Sequence, residues 1–189
     1  CYDFPVFIKP ANMGSSVGIS KARDIASLKE ALLEAAKYDD KILVEEFIKG
    51  REIEVAVLGN EDAKASRPGM IIPCNEFYDY EAKYLSGDES KIVIPAPIEE
   101  AAEKKIRMYA EKAFRALGGT GLARVDFFLA DDGKIILNEV NTMPGFTNIS
   151  MYAKLWDACG ISYGELIEKL IELGFARYNN RKSLQFKRS

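Results

Sequence analysis

Apolar and polar positions change period along the chain, between two residues and about 3.6, which are the signatures of strands and amphipathic helices. Residues 6–9 (VFIK) read as a short buried strand. Residues 11–18 (ANMGSSVG) are small, polar and glycine-rich, so they form a loop, with a strand resuming over 17–20. Ser27-x-x-Glu30 has the form of a capping box. It opens a helix in which Leu28, Ala31, Leu32, Ala35 and Ala36 recur on one face. Residues 41–47 (KILVEEF) are strand-like, and Gly50 breaks them. Over 53–58, Ile53, Val55 and Val57 alternate with Glu54 and Ala56, which predicts a strand with one polar face.

The middle of the chain differs in character. Residues 75–90 (NEFYDYEAKYLSGDES) are polar, aromatic and broken by glycine. They read as a long irregular loop, a feature that compact domains usually keep for function. A strand over 91–94 stops at Pro95 and Pro97. Residues 99–117 form a helix with Ile106, Ala110, Ala113, Phe114 and Leu117 on one face, closed by Gly118 and Gly119. Strands over 122–129 and 134–141 are joined by Asp131-Asp132-Gly133, a hairpin turn. Ser162-x-x-Glu165 caps a last helix that runs to Leu173 and ends at Gly174. Residues 179–189 are polar and basic and are expected to fray. The sum is an α+β protein with mostly antiparallel strands.

Composition narrows the chemistry. The 189 residues carry 26 Lys+Arg and 29 Asp+Glu, a mildly acidic balance with no electrostatic footprint for nucleic acid. No apolar run approaches the roughly 20 residues of a membrane helix. The chain has no histidine, which excludes histidine triads and histidine-ligated zinc built from it alone. Cys1, Cys74 and Cys159 are far apart and odd in number, so reduced thiols in a cytoplasmic protein fit better than a disulfide frame.

The hairpin carries the most chemistry. Arg124 and Asp126 share one strand face, and Glu139 and Asn141 share a face of the next strand, continuing from Ile135 and Leu137. Side by side, Asp126, Glu139 and Asn141 form an all-oxygen set suited to Mg²⁺, with an arginine suited to a phosphoryl group. A solvated face with an Arg–Asp pair has the same pattern. Lys9 before a Gly/Ser loop suits phosphate without being a Walker A motif, and a plain turn would look alike. Glu45, Glu46, Phe47 and Ile48 followed by Glu52 could serve a base and a ribose, or form an edge strand with solvated glutamates. Lys83 and Tyr84 could bind substrate or decorate a lid. Gly145 and Ser150 could offer an N–H and a hydroxyl to an anion just before a helix.

Five stretches together resemble the D-alanine–D-alanine ligase family of the ATP-grasp superfamily. They are residues 4–20 (FPVFIKPANMGSSVGIS), 43–58 (LVEEFIKGREIEVAVL), 77–86 (FYDYEAKYLS), 121–128 (GLARVDFF) and 137–150 (LNEVNTMPGFTNIS). The resemblance implies part of a central subdomain over 1–45, a C-terminal subdomain over 46–178 and a basic tail over 179–189. It implies that Lys9 contacts the ATP phosphates beneath a loop containing Gly14, Ser15 and Ser16. Glu45 and the backbone of Glu46, Phe47 and Ile48 would hold adenine, and Glu52 the ribose. Asp126, Glu139 and Asn141 would bind two Mg²⁺ ions, with Mn²⁺ able to substitute. Arg124 and the Gly145 backbone would stabilise the oxyanion and transferred phosphate. Lys83, Ser150 and Met151 would hold the second substrate, while Ser15 and Tyr84 would orient substrate and close the phosphate loop. Tyr84 after Lys83 would favour an amino acid as second substrate.

The implied reaction joins two D-alanines through an acylphosphate, for peptidoglycan synthesis in the cytoplasm. Family members are longer and begin with an N-terminal domain, so the chain is expected to be the catalytic C-terminal part of such an enzyme, whose full-length form admits a homodimer. The alternative is an isolated or truncated ATP-grasp module that binds Mg-ATP without catalysis.

Overall fold

The computed structural model describes residues 3–14, 16–72 and 91–184. Ser15, Lys83, Tyr84 and the loop expected over 75–90 lie outside the described residues. The described residues fall in two compact units, one within Cys1–Lys49 and one within Gly50–Ile72 and Ile92–Ser189.

In the first unit, β1 (Val6–Pro10), β2 (Ser20–Ala22) and β3 (Ile42–Glu46) form an antiparallel sheet in the order β2-β1-β3. Helix α1 (Ile25–Ala35) covers one face, where Val6, Ile8 and Ala22 meet Ala31 and Ala35. Strand alternation leaves Phe7 and Lys9 on the other face. Helix α1 begins earlier than expected. Its N-cap is Asp24, which accepts from the Ser27 backbone N–H at 2.8 Å, and Ser27 is the third helical residue rather than the cap. Two overlapping capping patterns compete here, and the carboxylate is taken because the Ser27 hydroxyl also returns to the Asp24 backbone. The strand expected over 17–20 starts only at Ser20, since Ser16 and Gly18 have φ of 63° and 71° and the chain still turns there.

The second unit is built on β4 (Gly50–Gly59), β5 (Lys64–Ala65), β6 (Gly69–Ile72), β7 (Lys91–Val93), β8 (Gly121–Ala130) and β9 (Ile135–Asn141). The order is β7-β6-β4-β8-β9, with β5 alongside β4. Helix α2 (Glu100–Ala116) packs Ile106, Ala110 and Phe114 on one face, against Ile53, Val55, Val57, Ala123, Val125 and Phe127. It ends in a Schellman motif. Gly118 has φ 66°, the Gly119 N–H donates to the Phe114 carbonyl at 2.9 Å, and the Gly118 N–H donates to Arg115 at 3.0 Å. Leu117, expected on the buried face, is the C-cap and is exposed.

Helices α3 (Met151–Asp157) and α4 (Tyr163–Ser183) cover part of the other face, where Ala56 and Leu58 meet Tyr152, Leu155, Trp156 and Leu166. The face of β4 expected to be polar is therefore buried. The Tyr152 hydroxyl donates to the Val57 carbonyl at 3.0 Å, and burial pushes its pKa up. Helix α4 also corrects an expectation, because it runs through Gly174 to Ser183. A glycine inside a helix costs only about 1 kcal/mol relative to alanine. Contacts on either side outweigh that: Asn60 Nδ2 donates to the Leu173 carbonyl at 3.0 Å, and Arg177 donates to Thr120 Oγ1.

Gly50 opens β4 rather than breaking a strand, and it pairs with Ala130. A Cβ there would lie 2.3 Å from the Leu129 carbonyl oxygen. Gly50→Ala is therefore expected to part β4 from β8 at this end and cost about 1–3 kcal/mol, as overpacking does. Urea denaturation would measure it. An unchanged midpoint would show that the strands separate freely here.

Candidate functional site

On the first unit, Phe7, Lys9 and Glu45 share the sheet face opposite α1. Phe7 pairs with both Lys21 and Glu45, and Lys9 pairs with Leu43. Lys9 Nζ lies 2.5 Å from Glu45 Oε2. Lys21 Nζ sits 4.1 Å above the centre of the Phe47 ring, which is 6.1 Å from the ring of Phe7. The loop holding Gly14 and Ser16 is pinned where it begins, because the Asn12 backbone N–H and side-chain amide both donate to Asp39 Oδ2, at 2.6 and 2.8 Å. Beyond that base the loop closes on itself through Val17 N–H to Gly14 and Ile19 N–H to Ser16. A Cβ on Gly14 would meet nothing within 4 Å among the described residues.

On the second unit the hairpin has the expected turn. The Gly133 N–H donates to Ala130 at 2.9 Å and Gly133 has φ 85°, the three-residue loop closed by a glycine bulge. The strands do not stay in simple register. Phe127 pairs with Leu137 but Asp126 pairs with Glu139, so Asn138 is an extra residue, a β-bulge. The bulge reverses the expected facing. Ile135 and Leu137 pair with Leu129 and Phe127, while Glu139 and Asn141 pair with Asp126 and Arg124. The acidic pair therefore does not continue the apolar stripe of Ile135 and Leu137. It lies on the opposite side of the sheet, beside the arginine and aspartate, which is where the expected oxygen cluster needs it.

A third acidic position joins this face. Strand β4 pairs Glu54 with Asp126 and Ala56 with Arg124. Glu54, Asp126 and Glu139 thus form a row across three strands. Arg124 reaches all of them. Its Nε and Nη2 donate to the two Asp126 oxygens at 2.8 and 2.7 Å, Nε is 3.2 Å from Glu54 Oε2, and Nη2 is 3.7 Å from Glu139 Oε1. Burial by itself would lower the guanidinium pKa. The hydrogen bond to Asp126 and the charges of Asp126, Glu54 and Glu139 outweigh it and hold the pKa above its ordinary value. Arg124 Nη1 has no partner among the described residues. The residue is thus clamped along one edge and can still donate from its remaining nitrogen to an anion.

Among the described residues one guanidinium stands among three carboxyl groups, a set of oxygens that suits a divalent cation. Mg²⁺ is usually held by one or two carboxylates, with water and substrate phosphates completing its shell. Asp126, Glu139 and Asn141 fit that demand without being a closed cage; among the described residues no three Asp, Glu or Cys side chains form one. Asn141 Oδ1 accepts the Met143 N–H at 3.1 Å and keeps a second lone pair.

The loop after β9 is tied together by Ser150, whose Oγ accepts the Thr147 N–H at 3.0 Å and lies 2.9 Å from Thr147 Oγ1. Gly145 sits against that hydroxyl, since a Cβ on it would lie 3.4 Å away. The helix anticipated after Ser150 is α3, with Ser150 as its N-cap. Met151 turns its side chain into the cluster beneath α3, which leaves only its backbone for a substrate. Glu46 pairs with Val6, and Glu52 pairs with Phe128 in β8 and Ile71 in β6. Sequence reasoning missed Glu54. The available signal was a carboxylate inside the apolar run over 53–58.

Comparison with known proteins shows the family. A family model described as "D-ala D-ala ligase C-terminus" matches residues 1–172. The D-alanine–D-alanine ligase of Acetivibrio thermocellus is 62% identical over 180 residues, which is 95% of this chain and 48% of the relative. That of Streptococcus agalactiae is 53% identical over 182 residues, 95% of this chain and 51% of the relative. The chain thus spans about half the length of the curated relatives it matches. Among solved structures, the D-alanine–D-alanine ligase of Coxiella burnetii superposes with a TM-score of 0.84 at 38% identity, covering 95% of this chain and 47% of that one. The VanG D-Ala:D-Ser ligase of Enterococcus faecalis gives 0.82 at 41% identity, covering 90% and 50%.

Proposed function

The chain belongs to the D-alanine–D-alanine ligase C-terminus family, and from that membership we propose that it is the catalytic C-terminal part of an ATP-dependent ligase joining two D-alanines. The observation that carries this reading is the clamped Arg124 set among Glu54, Asp126 and Glu139. A phosphoryl-transfer site works by positioning and charge rather than by a protein nucleophile. Here one arginine is oriented by carboxylates beside an oxygen-ligand set.

ATP phosphorylates the carboxylate of the first D-alanine, and the amine of the second attacks the acylphosphate and expels phosphate. Asp126, Glu139 and Asn141 would hold Mg²⁺, two ions in the full assignment. The metal would supply positive charge to offset the negative charge that develops during phosphoryl transfer. Arg124 Nη1 and the Gly145 N–H donate to the transferred phosphate and the oxyanion. Lys9 contacts the ATP phosphates by leaving Glu45, its half-buried ion-pair partner. Glu45 and the 46–48 backbone take adenine, Glu52 takes the ribose, and the Gly14–Ser16 loop covers the phosphates. Lys83, Ser150 and the Met151 backbone hold the second substrate, with Ser15 and Tyr84 ordering it. The product serves peptidoglycan synthesis in the cytoplasm. Among the described residues no helix is long and apolar enough to cross a membrane.

The test is a coupled phosphate and dipeptide assay with ATP, Mg²⁺ and D-alanine. The full gene product is expected to release phosphate and dipeptide in equal amounts. The 189-residue chain by itself is expected to bind Mg-ATP weakly and form no dipeptide. D-Serine and D-lactate in the second position test the acceptor. The likeness to a D-Ala:D-Ser ligase makes D-serine the informative competitor, and D-alanine is expected to be preferred. A full gene product without D-alanine-dependent turnover would defeat the proposal.

A further inference from the structure

We infer that Glu54 is a positioning residue for the phosphoryl-transfer step, holding the Arg124 guanidinium so that its Nη1 edge faces the transferred group. This rests on the proposed role of Arg124 as the group that meets the phosphate.

Glu54 is only 7% exposed, on the central strand of the sheet, and carboxylates are almost never buried unless paired. Its neighbours on that face of β4, Ala56 and Leu58, are apolar and packed under α3 and α4. A carboxylate there gains nothing for the core, since an apolar residue would avoid the cost of desolvating a charge. What it does gain is Arg124. Glu54 Oε2 is 3.2 Å from Arg124 Nε, on the side of the guanidinium away from β9.

Asp126 grips the same Nε and Nη2 edge from within β8, two residues along the strand from Arg124. A single carboxylate fixes the fork in its own plane but allows it to swing about the shared edge. A second carboxylate on the adjacent strand removes that freedom, because β4 and β8 are bonded over their whole length, from Gly50↔Ala130 to Gly59↔Gly121. Glu139 approaches from β9 on the other side but is more than half exposed. It is therefore the partner that can turn to a metal, whereas Glu54 is buried beside the arginine. Metal binding and arginine orientation are in this way divided between two glutamates that flank one aspartate. A misplacement of about 1 Å in such a group is enough to cost a large factor in rate.

The experiment is a double-mutant cycle in the full gene product with Glu54→Gln, Arg124→Lys and the pair. It reads kcat, KM for ATP and thermal midpoint. Glu54→Gln keeps size and one acceptor but loses the charge that holds the guanidinium. It is expected to lower kcat at least tenfold with KM for ATP changed less than twofold. In the Arg124→Lys background, where no fork remains to be held, Glu54→Gln is expected to cost less than twofold. The Arg124 Nε–H resonance, followed by selective ¹⁵N labelling, should be sharp in the parent and averaged in Glu54→Gln. That reading does not depend on turnover and serves even where a variant is weakly stable. Unchanged kcat in a folded Glu54→Gln protein overturns the inference. So does an equal loss in both backgrounds, which is the mark of a merely structural residue. If Arg124→Lys alone keeps normal kcat, the role of Arg124 fails instead, a result distinct from either.

Discussion

Replacing Asp126 with Asn, or Glu139 with Gln, in the full gene product is expected to lower turnover by about 10²–10³-fold, the scale of losing one preorganised electrostatic group. Both substitutions keep shape and remove charge. Asp126→Asn weakens the metal set and also replaces one acceptor of the Arg124 fork with an amide that would point donors at it. Glu139→Gln leaves the Arg124–Asp126 grip intact and removes only the exposed carboxylate. Both should stay folded, because each keeps its side-chain volume and leaves the β4–β8–β9 pairing intact. Steady-state kinetics with circular dichroism melting, run across a Mg²⁺ titration, would separate the effects. A Glu139→Gln loss that shrinks as Mg²⁺ rises would mark weakened metal affinity. Near-normal turnover in either variant would mean that the metal ligands lie elsewhere.

Phe127→Ala is expected to destabilise the second unit by about 3–5 kcal/mol, the usual cost of truncating a buried aromatic. Phe127 is fully buried between Ile53 on β4 and Leu137 on β9, in the cluster that includes Phe114 and Ile106 of α2. It also stands at the bulge, directly after Asp126, so a cavity beneath it loosens the strand that presents Arg124 and Asp126. Guanidinium denaturation read by intrinsic fluorescence of Trp156, in the same unit, would show the midpoint fall. A shift below about 1 kcal/mol would mean that the core closes over the gap and that the bulge does not depend on this ring.

Helix α2 was legible to within one residue at each end because its signals are local: an apolar stripe at Ile106, Ala110 and Phe114 and a glycine pair that ends it. The hairpin was legible for the same reason, with Asp131-Asp132-Gly133 supplying the turn. Local signals failed where two of them overlapped, as at Asp24 and Ser27, or where a distant contact outweighed a weak one, as at Gly174 in α4. Arg124, Asp126, Glu139 and Asn141 could be singled out as candidates from residue type, and they do lie together. Met151 could not be seen to point inward, because the core that receives it comes from β4 and α4.

By itself, then, the sequence determined most of the helices and strands and that the main fold is α+β, and it singled out candidate side chains at the hairpin. Those properties depend on spacing within a few residues. The tertiary structure decided which face those side chains occupy. A strand alternates with period two, so one extra residue at Asn138 reverses the facing of all that follows, and only pairing with β8 shows that it bulges. It also decided that Glu54 belongs with Arg124, since about 70 residues separate them in the chain and the β4–β8 register alone sets them side by side.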